Sequence, residues 1–150
     1  MPEDLLGDLQ IPLPALLRGA RSAAARALRS ALEEAGFDDL PANGPYVISA
    51  TTSGGIPLAR IIERLGLSKQ AAGHLVDLLV LRGYLDREVD PEDRRRLVVL
   101  PTERGVAAAE VLRAAADQLE AELVAKIGVE DLHATRRTLA SLATLADHHA

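Results

Sequence analysis

Residues 65–85 read LGLSKQAAGHLVDLLVLRGYL, and residues 85–100 continue as LDREVDPEDRRRLVVL. Gly66 ends one apolar-periodic segment, and Ser68 stands where a hydroxyl accepts a backbone N–H from the first turn of the next helix. The spacing predicts an amphipathic helix running to about Arg82 and stopped by Gly83. Ala71, Leu75, Leu78 and Leu79 should face inward, and Lys69, Gln70, Gly73, His74 and Asp77 outward. The segments on either side of Pro91-Glu92-Asp93 suit two short paired strands whose tip carries Arg94, Arg95 and Arg96. One helix face packs. The other presents amides and a cation beside an arginine-tipped hairpin, an arrangement suited to DNA.

Upstream, Pro57 opens a helix in which Leu58, Ile61, Ile62 and Leu65 form an inward stripe, so two helices meet at the Gly66 turn. Ser53-Gly54-Gly55 is a turn. Tyr46 to Thr52 is too short to type by periodicity: its β-branched residues favour a strand, but a buried helical segment fits equally. Phe37 to Pro45 is a connection. Before it, Pro14 sits at a first helical turn, and Leu16, Leu17, Ala20, Ala23, Ala24, Ala27, Leu28, Ala31 and Leu32 recur at helical spacing until Gly36. Residues 1–12 are expected to form a loose arm.

Downstream, Thr102 can cap a helix carrying Val106, Ala109, Leu112, Ala116, Leu119, Leu123 and Ile127 on one stripe, and Gly128 breaks it. A last helix begins with Glu130 and Asp131, acidic as a helix N-terminus prefers, and carries Leu132, Leu139, Leu142 and Ala146. The fold class expected is mainly α with a small β-hairpin. Striped helices at both ends have too little domain of their own to cover, and their natural partner is a second copy of the chain.

Composition narrows the chemistry. An apolar fraction of 48% supports a core, but with only Phe37, Tyr46 and Tyr84 as aromatics the packing rests on Leu, Val, Ile and Ala. Cysteine is absent, which removes disulfides, thiolate nucleophiles and thiol redox sensing. The net charge of −5 argues against a generic nucleic-acid coat, yet it is unevenly spread. Residues 1–57 carry 4 basic against 7 acidic residues, residues 58–100 carry 8 against 7, and residues 101–150 carry 5 against 8. The helix-turn-hairpin segment alone escapes the acidic balance.

No uninterrupted apolar run is long enough for a membrane span, and no basic-then-apolar signal opens the chain, so a cytoplasmic protein with no membrane partner is expected. No catalytic residues, metal site or cofactor are expected. His148 and His149 are adjacent, His133 lies on another turn, and no H-x-x-x-H spacing, Gly-rich phosphate loop or nucleophile elbow is present.

The chain resembles the MarR family of winged-helix regulators over nearly its whole length. The resemblance is carried by Leu65 to Gly83, by Asp90-Pro91-Glu92-Asp93-Arg94-Arg95, and by Thr102-Glu103-Arg104-Gly105. It implies a short helix at Tyr46 to Thr52. It also implies homodimers whose terminal helices (1–40 and 103–150) interlock around winged helix-turn-helix lobes (45–102). It further implies a cleft between dimer layer and lobe that is open to a small-molecule effector; Tyr46, Phe37, Arg18, Arg21 and Arg26 are available near it, and the sequence does not distinguish ligand contacts there from core or dimer packing.

Carried over to this sequence, the resemblance places Ser68, Lys69 and Gln70 at the N-terminal end of a recognition helix in the major groove of double-stranded DNA. Electrostatics agree, since a helix N-terminus attracts phosphate and Gln70 can make paired hydrogen bonds to adenine. His74 stands where many members carry Arg, and Gly73 where a small polar residue is usual. The wing would insert Arg95 into the minor groove, oriented by a salt bridge from Asp93, with Arg94 and Arg96 alternating along a strand toward phosphate or solvent. The implied function is a ligand-responsive repressor that binds a palindromic operator as a homodimer. The alternative is a winged-helix module that binds another protein through the same face.

Overall fold

The structure is a computed structural model and describes residues 10–145. The expectations for residues 1–9 and for Ala146, His148 and His149 lie outside the described residues. The elements run α1 (Leu13–Glu34), α2 (Gly44–Thr51), β1 (Ile56–Pro57), α3 (Leu58–Leu65), α4 (Lys69–Leu81), β2 (Leu85–Val89), β3 (Leu97–Pro101), α5 (Glu103–Ile127) and α6 (Val129–Leu145). The chain divides into two compact units, one ending at Ala115 and the other running from Ala116.

The first unit is built around a three-stranded antiparallel sheet of order β1-β3-β2. The hairpin register runs from Leu85 opposite Pro101 to Val89 opposite Leu97. The third strand was not expected. Ile56 and Pro57 pair with Val99 and Val98, so Pro57 ends a strand and caps α3 where the sequence suggested only a helix start. The Tyr46 region is helical, as the family resemblance implied, and buries Val47 and Ile48 completely.

The core gathers Val47, Ile48, Ile61, Val76, Leu79, Tyr84, Leu85 and Val99, each 1% exposed or less. At roughly 1.5–3 kcal/mol for each fully buried aliphatic side chain, this cluster dominates the stability of the unit. The inward face of α4 is Ala72, Leu75, Val76 and Leu79. Ala71, expected inside, is exposed, and Leu78 is only half-buried. The buried stripe is therefore rotated by about one residue, because Val76 at the helix centre competes for the core more strongly than an alanine at its start. A similar shift occurs on α5, where Gly105, Ala108 and Leu112 are buried and Val106 is 42% exposed. On α1 only Leu32 is buried, and Leu16, Leu17, Ala24, Leu28 and Ala31 of its stripe are half-buried.

In the second unit, Arg136 of α6 pairs with Glu120 of α5, and Leu132 is buried. Leu139, expected in the stripe of α6, is 43% exposed.

Candidate nucleic-acid interface

Helices α3 and α4 meet at a turn that the chain makes by placing Gly66 in the left-handed region, at φ 60° and ψ 25°. A β-carbon is disfavoured there, and glycine ends the helix at no steric cost. Ser68 then caps α4, its Oγ accepting the Ala71 N–H at 3.1 Å. That bond leaves other first-turn N–H groups of α4 directed outward at its N-terminus, where they attract anions.

Lys69, Gln70, His74 and Asp77 are exposed, as their spacing predicted, and the capping Ser68 is exposed as well. Gly73 is half-buried, and a β-carbon built on it would meet nothing within 4 Å, so packing does not require glycine there. Gln70, His74 and Asp77 form one line along the helix, three to four residues apart. Asp77 has a partner that the sequence did not suggest: its carboxylate forms an ion pair with the Arg87 guanidinium on β2.

The wing departs from expectation in its local geometry. Arg94, Arg95 and Arg96 are exposed, but they lie in the loop before β3 and do not alternate along a strand. Two aspartates shape that loop. Asp90 Oδ1 accepts the Glu92 N–H at 2.9 Å, and Asp93 Oδ1 accepts the Arg95 N–H at 3.0 Å. Backbone bonds from Asp90 N to Arg96 O at 2.9 Å and from Arg96 N to Asp93 O at 2.8 Å close it. Asp93 therefore orients Arg95 through its main chain. The expected Asp93–Arg95 salt bridge is not among the ion pairs of the described residues. An aspartate that bonds its own turn is a common loop builder, and among the described residues the Arg95 guanidinium has no ion-pair partner.

A second group holds the far end of α4, and most of it escaped the sequence reading. Tyr84 is fully buried, and its hydroxyl donates to Asp39 Oδ1 in the loop between α1 and α2. Arg104 of α5 donates to the same carboxylate oxygen at 3.1 Å, to the Tyr84 hydroxyl at 3.0 Å and to the Arg82 carbonyl at 3.1 Å. Its guanidinium lies over the Tyr84 ring, 4.4 Å from the centroid, while Arg82 donates to the Asp39 carbonyl. Burial first, and then the bond to Asp39, raise the Tyr84 phenol above its usual 10.0, against the opposing pull of Arg104. Phe37, expected near an effector cleft, packs against this ring at 6.1 Å between centroids. Tyr46 is 45% exposed, and Arg18, Arg21 and Arg26 are exposed.

The Thr102-Glu103-Arg104-Gly105 stretch has its physical explanation in the same place. Thr102 Oγ1 accepts the Gly105 N–H at 3.1 Å and donates to the Gly83 carbonyl at 2.6 Å. Gly105 is pressed so close to the backbone just before β2 that an added β-carbon would lie 2.1 Å from the Tyr84 carbonyl oxygen. The only advance signal of this packing was the motif itself.

Among the described residues, no group of three or more His, Asp or Glu side chains comes together to hold a metal ion. No helix among them is long and apolar enough to cross a membrane.

The sequence profile of the MarR family matches residues 42–96, from α2 through the wing loop. Among solved structures the chain is similar to Streptococcus pneumoniae FabT in complex with DNA, at 13% identity and a TM-score of 0.77, over 92% of this chain and 97% of that one. It is also similar to a variant of E. coli MarR complexed with operator DNA, at 22% identity and a TM-score of 0.72, over 88% and 94% of the two chains. PcaV of Streptomyces coelicolor with its natural ligand matches at 20% identity and a TM-score of 0.70, over 92% and 96%. No curated protein matches the sequence. At these identities the solved structures speak to the fold, while the profile match covers the helix-turn-helix and the wing loop. Residues 42–96 thus match the profile of the MarR family, and the chain shares the winged-helix fold of FabT and E. coli MarR.

Proposed function

We propose that this chain is a homodimeric, sequence-specific DNA-binding repressor whose operator is palindromic and whose release is triggered by a small molecule. The observation that carries the reading is the outward line of Gln70 and His74, begun by Lys69 at the amide-rich end of α4, beside a loop that leaves Arg94, Arg95 and Arg96 exposed. In this reading Ser68, Lys69, Gln70, Gly73 and His74 meet the major groove. The loop Asp93 to Arg96 serves the adjacent minor groove, with Arg95 inserted and Asp93 fixing its backbone.

Dimerisation is assigned to the terminal helices, residues 1–40 and 103–150, around the DNA-binding lobe 45–102. Exposed apolar side chains on those helices support it: Leu13 is 47% exposed, Val129 50%, Leu139 43% and Leu145 58%. A second copy is the simplest cover for them. FabT and the E. coli MarR variant are seen with DNA, and PcaV with its natural ligand, which supports DNA as the partner and a small molecule as the effector. No enzymatic activity and no cofactor belong to this reading, which places the protein in the cytoplasm.

Salt dependence tests it. Phosphate contacts release counterions, so duplex affinity should fall steeply, linearly in the logarithm of salt concentration. Affinity unchanged between low and physiological salt would favour a protein partner for the same face.

A further inference from the structure

Asp77 is an awkward residue for a helix that meets a polyanion. It continues the outward line of Gln70 and His74, and its side chain is 61% exposed. Its charge is offset by Arg87, whose side chain is one-third exposed and which belongs to the wing sheet.

The strand register shows why this contact matters. Strand alternation puts Leu85, Arg87 and Val89 on one sheet face with their partners Pro101, Val99 and Leu97. Leu85 at the base of the hairpin and Val99 opposite Arg87 are fully buried, whereas the outer pair Val89 and Leu97 is 53% and 42% exposed. Arg87 lies between, the outermost residue of β2 on this face with an ion pair to α4, and the arginine loop extends beyond it.

Resting on the DNA-binding reading above, we propose that Asp77 and Arg87 are positioning residues: their ion pair clamps the wing against the recognition helix, and so sets the register in which the two elements read adjacent grooves. A partly exposed pair contributes little to global stability, so the clamp acts on orientation and not on folding. Phosphate contacts made at a wrong angle still give affinity. Base contacts do not.

The test uses Asp77→Ala, Arg87→Ala and the charge-swapped pair D77R/R87D in the full chain. Because the sequence holds no cysteine, Leu81→Cys and Glu92→Cys give unique spin-label sites on helix and wing. Distances are measured without DNA in dimers diluted with unlabelled chain. Each single variant should broaden the distance distribution, and the swap should narrow it again. In parallel, each single variant should reduce the ratio of operator to non-specific affinity roughly tenfold, the discrimination carried by about one good base contact, and the swap should recover most of that loss. An unchanged distance distribution overturns the clamp whatever happens on DNA. A wild-type preference for one duplex that both single variants retain overturns the proposal alone, whereas a wild-type chain with no preference overturns the reading of the site and this proposal with it.

Discussion

Arg104 Nη2 donates to Asp39 Oδ1 over 3.1 Å, joining residues 65 positions apart and tying the start of α5 to the loop between α1 and α2. Both side chains are more than one-third exposed, so the pair itself is worth only ~0–1 kcal/mol. The energetic centre of the group is the buried Tyr84 hydroxyl beneath them, whose donation to Asp39 leaves no stranded polar atom. Removing that hydroxyl takes one donor from Asp39 and one acceptor from Arg104 and leaves the two held only to each other. Tyr84→Phe should therefore destabilise the protein by about 1–2 kcal/mol near neutral pH, measured by urea unfolding.

The same group sets a pH dependence with a definite sign. The folded phenol holds its proton more tightly than the unfolded one, whose pKa is the ordinary 10.0. Above that value the folded state binds more protons than the unfolded state, so stability falls as pH rises. The contribution is complete below pH 10.0 and is lost as pH climbs through the higher folded value. Unfolding curves between about pH 9 and pH 11 should show this decline in the wild type and lose its Tyr84 component in Tyr84→Phe. Equal slopes in the two proteins would contradict the burial argument.

Among the described glycines, Gly105 should be the one least tolerant of alanine. Its β-carbon would enter the space of the Tyr84 carbonyl oxygen, which is backbone and cannot swing aside. Overpacking of this kind costs about 1–3 kcal/mol and sometimes more. Gly73→Ala offers the opposite control, since the new methyl enters open space within α4 and should stabilise by about 0.5–1 kcal/mol. Thermal unfolding of both variants checks the contrast.

Arg95→Ala should weaken duplex binding while leaving the unfolding transition in place, because the side chain is exposed and only its backbone N–H takes part in the loop. If Arg95 neutralises a phosphate as well as entering the groove, the slope of log affinity against log salt falls by about 1. Unaltered affinity in a titration of the variant would remove Arg95 from the interface.

Much of this arrangement was legible in the residues themselves. Gly66, Gly83 and Gly128 each stop a helix at positive φ, and Ser68 and Thr102 cap as their side-chain chemistry suggested. What escaped the reading was set by distance along the chain or by weak local signals. Strand β1 is two residues long, and its proline also stands at the N-cap of α3, so the helix signal hides the strand. The inward face of α4 was misplaced because Ala71 and Ala72 differ in nothing but position, and only the tertiary core chooses between them. In the wing, Asp93 had two candidate partners in Arg95, the guanidinium and the backbone N–H, and the tight loop favours the N–H. The Asp39–Tyr84–Arg104 group and the Asp77–Arg87 pair join separate elements, and no periodicity records such contacts.

The central claim, two copies of a recognition helix and an arginine wing held for B-form DNA, is tested most directly by selecting bound duplexes from a random pool with the full-length protein. The account predicts enrichment of inverted repeats with half-site centres about one helical turn, or roughly 10 base pairs, apart. A pool that emerges without enriched sequence or without two-fold symmetry would contradict it.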